Sequence, residues 1–293
     1  MIMGSISPPV RATIFMIGAM ISFTLMAISG RALEGKLDTF EIMTYRSLFG
    51  IVLVLVIAKM AGTYGEIRRA RLGLHIIRNM FHFAGQNLWF YAILYIPLSQ
   101  LFAFEFSTPL WVAILAPFVL KEQLTTSRIL AASLGFFGIL LVARPDMSSV
   151  DIALIAAALC AVGFAGAALC TKLLTRTEST TSILFWLTIL QAIFGIACAG
   201  YDGQIDIPYG TEILWVLVIG MCGLMAHFCI TSALQCAPAT VVTPLEFLRL
   251  PLITVVGYFM YNEPLEVLVF LGAAIVLLAN IINLRAEYKK SSA

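Results

Sequence analysis

Charge is scarce in this chain: of 293 residues, 12% are Asp, Glu, Lys or Arg and 61% are hydrophobic. An ordinary soluble domain is about 25% charged, so the shortage excludes a soluble globular protein. Other absences narrow the chemistry. No metal-ligand cluster stands at a recognisable spacing, no Gly-rich loop precedes a phosphate-binding Lys, and no nucleophile lies beside a His and an acid in a polar loop. The sequence therefore carries no motif for a metal, a cofactor or hydrolytic catalysis. The six cysteines, Cys160, Cys170, Cys198, Cys222, Cys229 and Cys236, lie within or at the edges of apolar stretches and imply no extracellular disulfide framework. Cys222, Cys229 and Cys236 share one helical stripe, which small residues on a packing face explain better than metal binding.

Long apolar runs are what the chain does have. A span needs about 20 apolar residues to cross about 30 Å of hydrocarbon. Ten stretches qualify: Val10 to Leu33, Phe40 to Met60, His75 to Ile96, Leu98 to Leu120, Thr126 to Ala143, Val150 to Leu174, Thr181 to Gly200, Thr211 to Gln235, Pro238 to Tyr261 and Leu265 to Leu284. The fold class expected is thus all-α and integral to a membrane, with no appended soluble domain. The first span is too long, and lacks the small-residue cleavage pattern, to be a removable signal peptide.

Ten spans put both termini on one side. Thirteen basic residues flank the spans there (Arg11, Lys59, Arg68, Arg69, Arg71, Arg78, Lys121, Arg128, Lys172, Arg176, Arg285, Lys289 and Lys290), against Arg31, Lys36 and Arg144 on the other. Basic loops resist translocation, so the termini are expected in the cytoplasm and the protein in the inner membrane. The formal charge of +2 serves topology and does not point to nucleic acid.

The chain also matches itself. Sliding it along its own length brings Phe23 onto Phe164, Ala27 onto Ala168, Pro97 onto Pro238, Glu105 onto Glu246, Glu122 onto Glu263 and Arg31 onto Lys172. A slightly longer shift in the second span of each half sets Arg46 against Gln191. Each copy holds five spans, and an odd number makes the second copy enter the membrane from the opposite side. Two inverted five-helix repeats are the hallmark of transporters that alternate access; a purely structural duplication is the plainer reading.

Several local patterns carry a family resemblance. They are Phe40-Glu41 followed by Arg46, Ile77-Arg78-Asn79, the Tyr91 to Pro97 run, Pro109, Lys121-Glu122, Arg144-Pro145, the Pro244-Leu-Glu-Phe-Leu-Arg249 run and Asn262-Glu263-Pro264. On these, essentially the whole chain resembles two EamA domains of the drug/metabolite transporter superfamily, dividing at residues 1–147 and 148–293. The resemblance implies a carrier of S-adenosylmethionine, amino acids and their derivatives, riboflavin or organic anions, a class and not a compound. It also places the fifth and tenth spans outside the core, where a homodimer contact is left open. One departure stands out: Glu246 falls where similar proteins often carry a neutral or basic residue.

Ionisable groups inside spans are the candidate site, because a charge at mid-membrane costs about 2.5 to 3.5 kcal/mol unless paired or wet. Glu105 and Glu246 lie about 12 Å into oppositely directed helices and flank one centre. Arg249 follows Glu246 by three and is close enough to pair with it, with or without a substrate role. Arg78, His82, Gln86 and Trp89 fall within about 80° of arc on the third span. That stripe suits a cavity lining, or an interhelical hydrogen-bonding seam. His82 reads equally as a structural histidine or a proton carrier, and His227 aligns with Gln86 in the repeat. Pro109 and Pro251 each remove a backbone hydrogen bond and kink their spans. Glu122 and Glu263 sit where helices start and read as caps, outside the site.

The expected function is transport of a small polar metabolite. Arg46, Arg78 and Arg249 oppose Glu105 and Glu246, which favours a substrate with a carboxylate beside a cationic or polar part, such as an amino acid or an S-adenosylmethionine-like compound. In this scheme Arg46 and Arg249 hold the anionic group, Glu105 and Glu246 meet an amino or sulfonium group or carry a proton, and Trp89 stacks on a planar part. Proton coupling through a carboxylate with raised pKa is left open. The alternatives are an integral-membrane enzyme using His82, Glu105 and His227 as acid/base groups, and a channel or scramblase.

Overall fold

A chain this apolar must satisfy its backbone within helices once it is in lipid. The computed structural model describes residues 8–120, 126–143, 151–201, 203–236 and 249–291, and among them every extended element is helical. These are α1 (Pro8–Ala32), α2 (Thr39–Met60), α3 (Leu72–Tyr95), α4 (Leu98–Glu105), α5 (Thr108–Leu120), α6 (Thr126–Ala143), α7 (Ile152–Leu174), α8 (Thr180–Ala199), α9 (Thr211–Cys236), α10 (Arg249–Tyr261) and α11 (Val267–Ser291), with one 3-10 turn at Tyr64–Glu66. Six stretches are long and apolar enough to cross a membrane: Val10–Ala32, Thr39–Met60, Leu98–Val119, Ile152–Leu174, Thr180–Ala199 and Thr211–Ile230. Ala132–Val142, Leu252–Tyr261 and Val267–Ile282 are shorter apolar helices.

Helix starts follow local chemistry. Asp38 and Glu41 form a capping box on α2, each side chain taking the other's backbone N–H, at 2.7 and 2.8 Å. Asp151 caps α7 through Ala153 N and Ser179 caps α8 through Ser182 N. The expected fourth span is two helices rather than one. Pro109 has no N–H to give the Glu105 carbonyl, so the helix stops at Glu105 and resumes at Thr108, and the Thr108 hydroxyl donates to that carbonyl at 2.6 Å. The residues before Arg249 in the expected ninth span, with Glu246 among them, lie outside the described residues, as do Lys121, Glu122, Arg144 and Pro145.

Helices pair across the halves. α1 packs mainly on α9, α3 on α7, α2 on α8 and α6 on α11. In the repeat register the first two pairings exchange with each other and the last two map onto themselves, the pattern of a twofold relation between halves. Glycine permits close crossings: a Cβ on Gly163 of α7 would stand 2.8 Å from the Gly85 Cα and 3.0 Å from the Phe81 carbonyl of α3. Cys222 and Cys229 are buried, and Cys229 abuts Gly18 of α1. The two longest described connectors are pinned in matching ways. In the first, Arg68 accepts from Trp186 Nε1 at 2.7 Å; in the second, Asp206 donates its N–H to Glu41 at 2.5 Å and accepts from Tyr45 at 2.9 Å.

Polarity runs inside out. Val52, Phe118, Leu130, Ile155, Leu214 and Phe259 are exposed on the outside, whereas Arg46, Arg78, Asn79, His82, Gln86, Gln191 and Arg249 are buried. Lipid in place of water outside accounts for both.

Candidate functional site

The buried polar groups converge because α3 carries them on one face and the α4–α5 break exposes Glu105 beside them. A cavity of about 600 Å³ lies between the halves, lined by Phe23 and Met26 of α1, Arg78, His82, Gln86 and Trp89 of α3, Glu105 to Pro109 at the break, Phe164 to Thr175 along α7, His227 and Ile230 of α9, and Arg249 of α10. From Arg78 to Trp89 the α3 stripe extends about 16 Å along the cavity.

Most of the wall comes in repeat-related pairs. Phe23 and Phe164, Met26 and Ala167, Gln86 and His227, Trp89 and Ile230, and Thr108 and Arg249 each line it from the two halves in one register. The cavity therefore sits on the relation between the repeats. Repeat-related positions differ in chemistry where it matters most, Trp89 against Ile230 and Thr108 against Arg249, so the site is asymmetric within a symmetric frame.

At the break, Arg249 donates to Glu105 Oε1 at 2.6 Å and Trp89 Nε1 donates to Oε2 at 2.8 Å. The Arg249 guanidinium lies over Phe23, Phe102 and Phe106, 4.5, 4.8 and 5.3 Å from their ring centroids. Ion pair and π faces together compensate its burial. Toward the other end, Arg78 Nε donates to Thr171 Oγ1 at 3.2 Å and Nη1 to Asn79 Oδ1 at 3.0 Å. The rings of His82 and His227 face each other across α3 and α9, with centroids 5.9 Å apart, and His82 stands 6.1 Å from Phe164.

Of the residues singled out from sequence, Arg78, His82, Gln86, Trp89, Glu105 and Arg249 meet on this wall. Arg46 stands behind it, buried beside Gly223 of α9 and Met26. The expected local partner of Arg249, Glu246, lies outside the described residues; the carboxylate Arg249 holds is Glu105, on the opposite half. Glu263 also takes a different role from capping its own helix. It pairs with Arg31 and accepts the Leu98 N–H at 2.9 Å, so it caps α4. Arg31 further donates to the Ile93 and Ile96 carbonyls at 2.8 and 2.7 Å and lies over the Tyr261 ring. That cluster ties the end of α1 to the α3–α4 corner and to the end of α10. Thr108, Thr171, Thr175 and Gln191 are polar residues here that the sequence reading does not single out; repeat register offers a signal for two of them, Gln191 opposite Arg46 and Thr108 opposite Arg249.

A helical chain of two repeats, apolar outside and holding a charged cavity between its halves, is a multi-pass membrane protein. The chain belongs to the EamA-like transporter family, whose model matches residues 10–144 and 151–285. It is 25% identical over 274 residues to the S-adenosylmethionine uptake transporter of Rickettsia felis, covering 94% of this chain and 92% of that protein. It is 30% identical over 248 residues to the riboflavin transporter of Brucella anthropi, covering 83% and 87%. To the riboflavin transporter of Vibrio cholerae it is 26% identical over 289 residues, covering 97% and 96%. A crystal structure of a chain 16% identical superposes with a TM-score of 0.64, covering 93% of this chain and 96% of that one.

Proposed function

We propose that this chain is a secondary active transporter, moving a small polar metabolite across the inner membrane by alternating access between two inverted five-helix halves with both termini cytoplasmic. The observation that carries the reading is the cavity walled by repeat-related pairs, since a site on the relation between two halves is equally placed to open to either side. Its volume suits one small ligand. The substrate class we assign bears a carboxylate beside a cationic or polar part and a planar ring, as in an S-adenosylmethionine-like compound. Trp89, Phe164, His82 and His227 supply aromatic faces for the ring, and Glu105 and Arg78 supply opposite charges at the two ends of the cavity. S-adenosylmethionine and riboflavin, the compounds named for the relatives, share a fused nitrogen heterocycle, which supports the aromatic assignment.

The test is counterflow in proteoliposomes with radiolabelled S-adenosylmethionine, riboflavin and a panel of amino acids. Saturable exchange of an unaltered compound from the first class is expected. Chemical conversion would mean an enzyme, and non-saturating flux without counterflow would mean a channel. Repeating the assay with a collapsed proton gradient reports coupling.

A further inference from the structure

Three guanidinium groups enter the core, and among the described residues only one meets a carboxylate. Arg249 pairs with Glu105 and lies over three aromatic faces, although its Nε is left without a partner. Arg46 and Arg78 are 8% and 5% exposed, and neither has an ion-pair partner among the described residues. Arg46 Nη1 meets no hydrogen-bond acceptor at all.

The groups around them are only partly paired. Gln191 of α8 is fully buried; its amide nitrogen donates to the Asn79 carbonyl at 3.0 Å and to Asn79 Oδ1 at 3.3 Å, and its Oε1, an acceptor, is turned to His82. On α3, His82 Nδ1 and, one turn on, Gln86 Nε2 are buried without partners. The Arg46 guanidinium lies on Gly223, one turn of α9 before His227, whose ring faces His82. Four helices thus bring two uncompensated cations and an unused amide donor to one place beside the cavity. Buried donors left unpaired are costly, and buried cations more so. Among the described residues no carboxylate meets this cluster.

We propose that Arg46, Arg78, His82 and Gln86 form a carboxylate-binding subsite, and that the substrate's carboxylate docks there while Arg249 stays with Glu105. Assigning the carboxylate to a substrate rests on the transport reading above; the subsite itself does not. Arg78, His82 and Gln86 present it to the cavity, and Arg46 backs it from α2. The planar part of the same ligand then extends along α3 toward Trp89.

The test uses thermal unfolding of the purified full-length protein in detergent, titrated with sodium acetate, with acetamide as the neutral isostere and sodium chloride at matched ionic strength. Acetate is expected to raise the midpoint saturably by roughly 3 °C, with no rise from acetamide. The rise should vanish in Arg46→Gln and Arg78→Gln and survive in Lys36→Gln. Without acetate, Arg46→Gln is expected to unfold at or above the wild-type temperature, because the substitution removes an uncompensated charge; a purely structural cation would lower it. An acetate response equal to that of chloride, or one that persists in both arginine variants, overturns the assignment. Counterflow of S-adenosylmethionine against its methyl ester separates the two ideas. Transport of both at equal affinity removes the subsite and leaves the transporter; an arginine-dependent acetate response with no transported compound removes the transporter reading and leaves the subsite.

Discussion

Arg249 and Glu105 meet at 2.6 Å from opposite halves, at the point where the α4–α5 break turns Glu105 toward the cavity. Each is the other's compensation in a low-dielectric site, so removing one leaves a buried charge. Glu105→Gln and Arg249→Gln are each expected to destabilise by about 3 kcal/mol, with the double variant recovering most of that loss. Thermal unfolding of the four proteins forms the cycle. Additive losses would mean that the two residues act independently.

Arg31 and Glu263 join α1, the α3–α4 corner and the end of α10 into one cluster. Those contacts tie the helix ends near Ile96 together, so weakening them should shift the population toward a state open there. In a cysteine-free background carrying Phe106→Cys, Arg31→Gln should raise several-fold the rate at which an impermeant maleimide labels from that side. Labelling at the parent rate would assign the cluster to folding alone.

How much of this was legible in sequence depends on the range of the interaction. The α3 stripe was legible because helical period alone puts Arg78, His82, Gln86 and Trp89 on one face, and all four line the cavity. The break at Pro109 was legible because a missing N–H is a local fact. The pairing of Arg249 with Glu105 was not: reading along one helix points to Glu246, which lies outside the described residues, while the pair with Glu105 depends on how the two halves dock. The cap made by Glu263 failed for the same reason, since the helix start it serves lies in the other half. Arg46 looked like a cavity residue because it is charged and deep. Only the packing of α2 on α8 and α9 sets it one layer back.

Gly163 and Gly85 let α7 and α3 cross in backbone contact, and a methyl at 163 meets backbone that cannot turn away. Gly163→Ala should destabilise by about 1 to 3 kcal/mol. Gly73→Ala on the first turn of α3 is the control. Its Cβ meets nothing within 4 Å, and helix propensity favours Ala there by up to about 1 kcal/mol. Opposite shifts in unfolding temperature are expected, and a drop of equal size in both would point to a general sensitivity of glycine sites.

Pro109 separates stability from function most directly. Pro109 stands in the first turn of α5, where proline is tolerated, and it leaves the Glu105 carbonyl to the Thr108 hydroxyl. Pro109→Ala restores a donor that can bond that carbonyl, so α4 and α5 can join through Phe106 and Ser107. Joining them rotates Glu105 relative to Trp89 and Arg249, which hold it from other helices. The variant should unfold at a higher temperature than wild type while counterflow falls by about tenfold, a loss of about 1.4 kcal/mol in the transport barrier. A more stable variant that transports at the wild-type rate would reduce the break to a packing accident. A variant with both properties lowered would mean that the Thr108 bond, and not the missing proline donor, holds Glu105 in place.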